Sequence, residues 1–178
     1  MVVAVQKLVS EPDTEWEFID GSDVKAHQHS AGASGADSQA IGKSRAGSTT
    51  NIHLAVDSDG LPIEFTVTGG EIHDSTAASE LIEPLPPAKA MVADKGYDSE
   101  KIREQIKSRG AIAVIPRKSN SVIGNADMDW SLYRHRHLVE NAFASLKYFR
   151  GLATRYDKLK RNYESVVAMA CSFLWLPI

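Results

Sequence analysis

Tyr133-Arg134-His135-Arg136-His137-Leu138-Val139-Glu140-Asn141-Ala142-Phe143-Ala144-Ser145-Leu146-Lys147 contains neither Gly nor Pro, and its spacing predicts one continuous helix. At about 100° per residue, with Arg136 at zero, Glu140 falls near 40°, Lys147 near 20° and Tyr133 near 60°. On the same wheel Leu138, Ala142, Phe143, Leu146 and Phe149 fall between about 200° and 340°. One face is therefore apolar, and one edge carries an acid between two bases. Two readings of that edge compete. An exposed i, i+4 ion pair contributes only ~0.3–0.5 kcal/mol and is common decoration. A metal-binding carboxylate flanked by phosphate-binding cations is the functional alternative. The helix alone does not decide between them.

The chain has 178 residues, 43% of them apolar, which suits one soluble domain with a real core. A net charge of −3 does not by itself point to a polyanion partner. Its distribution does, because Ser131 to Glu164 holds eight Lys/Arg against three acids. That asymmetry predicts a basic face on an otherwise acidic body. Cys171 is the single cysteine, so no intrachain disulfide can form, and its apolar setting (Val166 to Leu176) predicts a buried small hydrophobe. That run is shorter than the roughly 20 residues a membrane span needs. The N-terminus lacks a basic-then-apolar signal pattern. A reducing cytoplasm is expected.

Residues 1–15 are expected to be a lead-in, weakly amphipathic to Val9 and broken at Glu11-Pro12-Asp13-Thr14; residues 16–178 form the catalytic domain in this reading. Trp16–Ile19 reads as a strand with Asp20 at its exit, and Val24–Ala26 is a candidate continuation. His27–Thr50 is long, polar and Gly/Ser-rich, and is expected to be a functional loop that is mobile without a ligand. Asn51–Val56 and Leu61–Thr68 form a hairpin around Asp57-Ser58-Asp59-Gly60. That turn lacks the third acid and distal Glu of a calcium loop. Asp74-Ser75-Thr76 starts a helix closed by Pro84, Pro86 and Pro87. Lys89–Ala93 is a strand with Asp94 at its end. A helix over Glu100–Ser108, a strand over Ala111–Ile115 and a polar loop over Arg117–Asp129 follow. After the Tyr133–Lys147 helix the chain breaks near Gly151 and a last helix runs from about Tyr163 to Leu176.

This order describes an α/β fold with a mixed sheet flanked by helices. It matches the order in ribonuclease H-like domains, where the first and fourth strands lie side by side. Asp20 and Asp94 are then neighbours. With Glu140 they give three hard oxygen ligands, which suit Mg²⁺ or Mn²⁺. Two such ions about 3.5–4 Å apart can clamp an in-line displacement at phosphorus. Arg136 and Lys147 would hold substrate phosphates.

Other metal and phosphate readings are weaker. His27 and His29 share a side of an extended segment, but nothing completes a zinc site. His135 and His137 lie about 200° apart on a helix and cannot chelate one ion together. Ala40-Ile41-Gly42-Lys43-Ser44 is like a phosphate loop, but Asp37 stands where the first Gly belongs.

Four ordered blocks resemble the DDE transposases of bacterial insertion sequences. Tyr133-x-x-Arg136-x-x-x-Glu140-x-x-x-x-x-x-Lys147 matches at every spacing the signature around that family's catalytic Glu. Ile19-Asp20-Gly21-Ser22 with Ala26-His27-Gln28-His29 is similar to the block around the first Asp. Ala93-Asp94-Lys95-Gly96-Tyr97-Asp98 is similar to the block around the second. Gly69-Gly70 with His73-Asp74-Ser75, and Thr154-Arg155-Tyr156-Asp157-Lys158, also look like the family. The resemblance implies a ribonuclease H-like core, a catalytic and metal-binding triad of Asp20, Asp94 and Glu140, and DNA positioning by Tyr133, Arg136 and Lys147. It further implies two divalent ions, DNA cleavage and strand transfer at transposon ends, a homo-oligomer on DNA, and a bacterial cytoplasmic protein. Alternatives are a nuclease without strand transfer and a truncated regulator that binds DNA or a full-length relative. The chain departs from the family in two respects. Few residues precede Asp20, which is expected of a catalytic half whose DNA-binding portion is separately encoded or fused upstream. Asn51 stands where the resemblance would put a basic residue.

Overall fold

The computed structural model describes residues 11–30 and 39–176. Its centre is β1 (Trp16–Ala26), whose side chains alternate between two faces as a strand requires. Phe18 and Val24 enter one core, and Ile19 enters the other. The remaining strands are β2 (Gly42–Ser44), β3 (Gly47–Val56), β4 (Pro62–Gly69), β5 (Ala90–Ala93), β6 (Ile112–Val114) and β7 (Thr154–Arg155). β3 lies antiparallel to β1 from Phe18↔Val56 to Lys25↔Thr49. β4 and β2 share the far edge of β3. On its other edge β1 pairs in parallel with β5, from Trp16↔Ala90 to Ile19↔Ala93, and β5 pairs in parallel with β6. The sheet runs β2-β3-β1-β5-β6, with β4 also paired to β3 and β7 to β1; its β4-β3-β1-β5-β6 portion is the ribonuclease H-like arrangement, with the first strand beside the first of the parallel crossover strands.

Helices α1 (Asp74–Ile82) and α2 (Glu100–Ser108) cover one face through Ala78, Leu81, Ile82, Ile102 and Ile106. The chain then passes through α3 (Trp130–Tyr133) and a 3₁₀ turn at Arg134–Arg136 to reach α4 (His137–Leu146). After α5 (Arg150–Ala153), α6 (Lys160–Leu174) closes the fold. Val139, Ala142, Phe143 and Leu146 of α4, at i, i+3, i+4 and i+7, pack with Val167, Ala168 and Cys171 of α6 on the second face. Cys171 is fully buried, and burial pushes its thiol up to about 12. Among the described residues no helix is long and apolar enough to cross a membrane.

Four sequence expectations change. β1 is one continuous strand, because the polar Gly21-Ser22-Asp23 segment is held by main-chain pairing to β3. Asp20 therefore stands within a strand, where β5 stops beside it. Within the expected His27–Thr50 loop, residues 42–44 and 47–50 are strand, since ladder formation needs backbone groups and not apolar side chains. Residues 31–38 of that loop, and the Met1–Val9 lead-in, lie outside the described residues. The Tyr133–Lys147 helix is divided by the 3₁₀ turn, where Trp16 and His135 pack with ring centroids 5.8 Å apart.

The fourth change concerns the basic face. Arg155 is fully buried, so it cannot belong to that surface. It donates to the carbonyls of Ala40 (2.9 Å), Asp157 (3.0 Å) and Gln39 and to Thr50 Oγ1 (2.7 Å), and it lies over the Tyr163 ring. At the β3–β4 turn Asp57 accepts from the backbone N–H of Asp59 (3.1 Å) and Leu61 (2.9 Å), so that acid fixes the turn.

Candidate active site

Ile19 and Ala93 are the last residues paired between β1 and β5, so Asp20 and Asp94 are the next residues on two adjacent parallel strands. Each carboxylate is held locally. Asp20 accepts from its neighbour Gly21 N–H (2.9 Å), and Asp94 caps the following 3₁₀ turn (Lys95–Tyr97) through Gly96 N–H (2.7 Å). Burial raises the Asp20 carboxyl above its ordinary range. Arg136 opposes that shift, and the negative charge of Asp94 adds to it.

Glu140 lies in the first turn of α4, where its charge faces the positive end of the helix. Arg136 connects it to the sheet. Nη1 donates to Asp20 Oδ2 at 2.8 Å, and Nη2 donates to Glu140 Oε1. One guanidinium thus spans the first and third acids of the sequence-derived triad. Both acids lie on a cleft of about 330 Å³ with Gly21, Ser22, Phe143, Ala144 and Lys147. At its other end Lys147 Nζ donates to Ser22 Oγ at 2.6 Å. Tyr133 is half-buried, packs edge-on to Trp130 with centroids 5.7 Å apart, and lies close enough to Arg136 to influence its charge.

The donor set fits a hard divalent cation, being three carboxylates with no sulfur. Among the described residues, however, no three His, Cys, Asp or Glu side chains stand in an arrangement ready to hold an ion. The physical reason is visible at Asp20 and Glu140, whose oxygens are engaged by Arg136.

Sequence reasoning missed a group on the opposite side of β1. His53, fully buried on β3, lies 3.3 Å from Tyr97 Oη and 3.0 Å from Thr68 Oγ1. Burial lowers its imidazole to about 4, so the 3.6 Å approach of its Nδ1 to Asp74 Oδ1 is a contact with a neutral ring and no ion pair near neutral pH. Asp74 also accepts from Asn51 Nδ2 at 3.0 Å. The available signal was the His73-Asp74-Ser75 block, read as the start of a helix and as similar to the family, with no role in the site given to it.

Comparison with known proteins gives the chain's relatives. The chain is 33% identical over 132 residues to the protein assigned as transposase of insertion sequence element IS6501 in Brucella ovis, covering 72% of this chain and 98% of that one. It is 26% identical over 133 residues to the protein assigned as transposase of element IS402 in Burkholderia cepacia, covering 68% of this chain and 60% of that one. The chain thus spans nearly all of the first relative and three-fifths of the second. Among solved structures it shows a distant likeness, with 13% identity and a TM-score of 0.44, to the piggyBac transposase in its synaptic complex with hairpin DNA; this covers 67% of this chain and 26% of that one. A family model described as "Transposase DDE domain" matches residues 17–175, and with it the chain belongs to the transposase DDE domain family.

Proposed function

We propose that this chain is the catalytic domain of an insertion-sequence transposase, performing divalent-metal-dependent cleavage of DNA at the element's ends and transfer of the freed strand to a target. One observation carries the reading. The β1–β5 register ends at Ile19↔Ala93, which sets Asp20 beside Asp94, and α4 brings Glu140 to the same cleft through Arg136.

In this reading Asp20, Asp94 and Glu140 hold Mg²⁺ or Mn²⁺, in all two ions. When bound, these ions supply Lewis-acid activation of the attacking hydroxyl and charge neutralisation at the departing oxygen. The protein's own part is positioning. Gly21 N–H and Gly96 N–H each fix one oxygen of an aspartate, and the second oxygen of Asp20 accepts from Arg136. Arg136 neutralises Asp20 and Glu140 while the cleft is empty of DNA, and is then available to a phosphate. Lys147 and Ser22, 2.6 Å apart, offer an ammonium and a hydroxyl to the next phosphate along the cleft. Tyr133, half-buried close to Arg136, positions the DNA together with Arg136 and Lys147. Residues 16–178 form the catalytic unit, and residues 1–15 a lead-in to it. The partners are transposon-end and target DNA, a second copy of the chain on that DNA, and a DNA-binding portion encoded separately or fused. Such a protein works in the bacterial cytoplasm.

The test is incubation of purified protein with a duplex carrying the element's end, a target plasmid and Mg²⁺. Joined end–plasmid product is expected. Nicked ends without joining would favour a nuclease, and DNA binding without either would favour a regulatory remnant.

A further inference from the structure

The geometry points to Asp74 as a fourth carboxylate of this site, a positioning residue packed against the turns that carry Asp20 and Asp94, whose charge strengthens their hold on a divalent cation. The inference rests on the metal reading of the triad given above.

Asp74 opens α1, where an acid is favoured by the helix end alone. That ordinary role does not explain its surroundings. The residue preceding the helix, His73, makes no side-chain cap. The Asp74 carboxylate lies between the two glycines that follow the catalytic aspartates. A Cβ added at Gly21 would stand 2.8 Å from Asp74 Oδ1, and one added at Gly96 would stand 3.0 Å from Asp74 Oδ2 and 2.8 Å from Asp94 Oδ1. A side chain at Gly21 would press on the Asp74 carboxylate, and one at Gly96 would press first on Asp94 and then on Asp74. Asp74 thus closely approaches the turns that carry Asp20 and Asp94. Asp74 Oδ2 and Asp94 Oδ1 both lie within 3.0 Å of that Gly96 Cβ position, so two negative charges stand near each other there.

The support beneath Asp74 is built for this. Asn51 donates to Oδ1 from within β3, and Asn51 is itself almost fully buried. His53 and Tyr97 pack behind the same oxygen, with Tyr97 Oη 3.3 Å from the Gly21 Cβ position. A basic residue at position 51 would neutralise Asp74; asparagine orients it and leaves its charge intact. Asp74 retains partial exposure, with 34% of its side chain open to solvent. An extra fixed negative charge beside Asp94 favours a divalent cation over Arg136 as the counter-charge of the triad.

Mn²⁺ binding to the whole chain without DNA, measured by calorimetry or by the free-ion EPR signal, tests this. Asp74→Asn keeps the shape and the acceptor for Asn51 and removes only the charge. It is expected to keep the fold by circular dichroism and to weaken Mn²⁺ binding by about tenfold or more, the usual scale for groups that orient metal ligands. Asn51→Ala, which frees Asp74 without altering its charge, is expected to give a smaller loss in the same assay. Asp20→Asn serves as the reference, with binding abolished. Wild-type affinity in both the Asp74 and Asn51 variants, with binding lost in Asp20→Asn, would overturn the role of Asp74 alone. Wild-type affinity in Asp20→Asn would overturn the metal reading of the triad, and this inference with it.

Discussion

Arg136 bridges Asp20 and Glu140, donating to Asp20 Oδ2 at 2.8 Å and to Glu140 Oε1 from its second amino group. The side chains of Arg136 and Asp20 are largely shielded, so their pairing is stronger than that of a surface pair. Arg136→Ala leaves two acids facing Asp94 without a counter-charge. Stability should fall by about 1–2 kcal/mol without metal, the scale of a charged hydrogen bond discounted for solvent. Saturating Mg²⁺ should then raise the melting temperature of the variant more than that of the wild type. An equal or smaller rise would show that Arg136 does not compete with the cation.

Lys147 donates to Ser22 Oγ at the far end of the cleft, and both face the groove that also holds Asp20 and Glu140. Lys147→Ala should weaken DNA binding about equally for all sequences and reduce the log–log salt slope by about 1. Titrations by fluorescence anisotropy at several salt concentrations measure both. An unchanged slope would mean that Lys147 makes no phosphate contact.

Buried Arg155 ties residues 39 and 40 to β3 and to the segment that follows β7. Removing it takes a donor from the part-buried carbonyls of Gln39, Ala40 and Asp157 and from buried Thr50 Oγ1. Arg155→Met should cost about 3 kcal/mol in urea unfolding, the range for breaking a buried hydrogen-bond network. Arg155→Lys should recover little, because a point ammonium cannot match the guanidinium fork. Full stability in either variant would contradict this role.

Glu17 is fully buried on β1, and neither carboxylate oxygen has a hydrogen-bond partner. Burial lifts its carboxyl from 4.5 to about 7, with Arg109 opposing the shift. The folded state therefore binds a proton between pH 4.5 and 7 that the unfolded state has released, so stability falls as pH rises through that window. The full effect is on the order of 3 kcal/mol. Glu17→Gln should flatten the dependence, gaining stability relative to wild type at pH 8 and not at pH 5. Parallel pH profiles for the two proteins in urea unfolding would contradict the assignment.

The parts of the fold that could be read from the chain are those whose side chains report their own burial. β5 is a run of four buried apolar residues, and the hairpin of β3 and β4 has a polar turn at its tip. The segment at 42–50 was not legible because its pairing is made by the backbone, under Lys, Ser and Thr side chains. Arg155 sits in a basic stretch and nothing local marks it as buried. The Arg136–Glu140 pair follows from helical spacing, whereas the contact of Arg136 with Asp20 required the topology, since 116 residues separate the two. Asp74 was read as a helix start within a block similar to the family, with no role in the site. Its setting is made by Gly21, Asn51, His53 and Gly96, on two different strands and a turn, and no local pattern connects them.

The most direct test of the account is Mg²⁺-dependent cleavage of a transposon-end duplex by the wild type and by Glu140→Gln. The substitution keeps the size of the side chain and an acceptor for Arg136, and removes the charge. Wild-type protein should cleave, and Glu140→Gln should bind the duplex, keep its fold by circular dichroism and lose cleavage by about a thousandfold, the range seen for loss of a directly acting electrostatic group. Undiminished Mg²⁺-dependent cleavage by Glu140→Gln would show that Asp20, Asp94 and Glu140 are not the catalytic set.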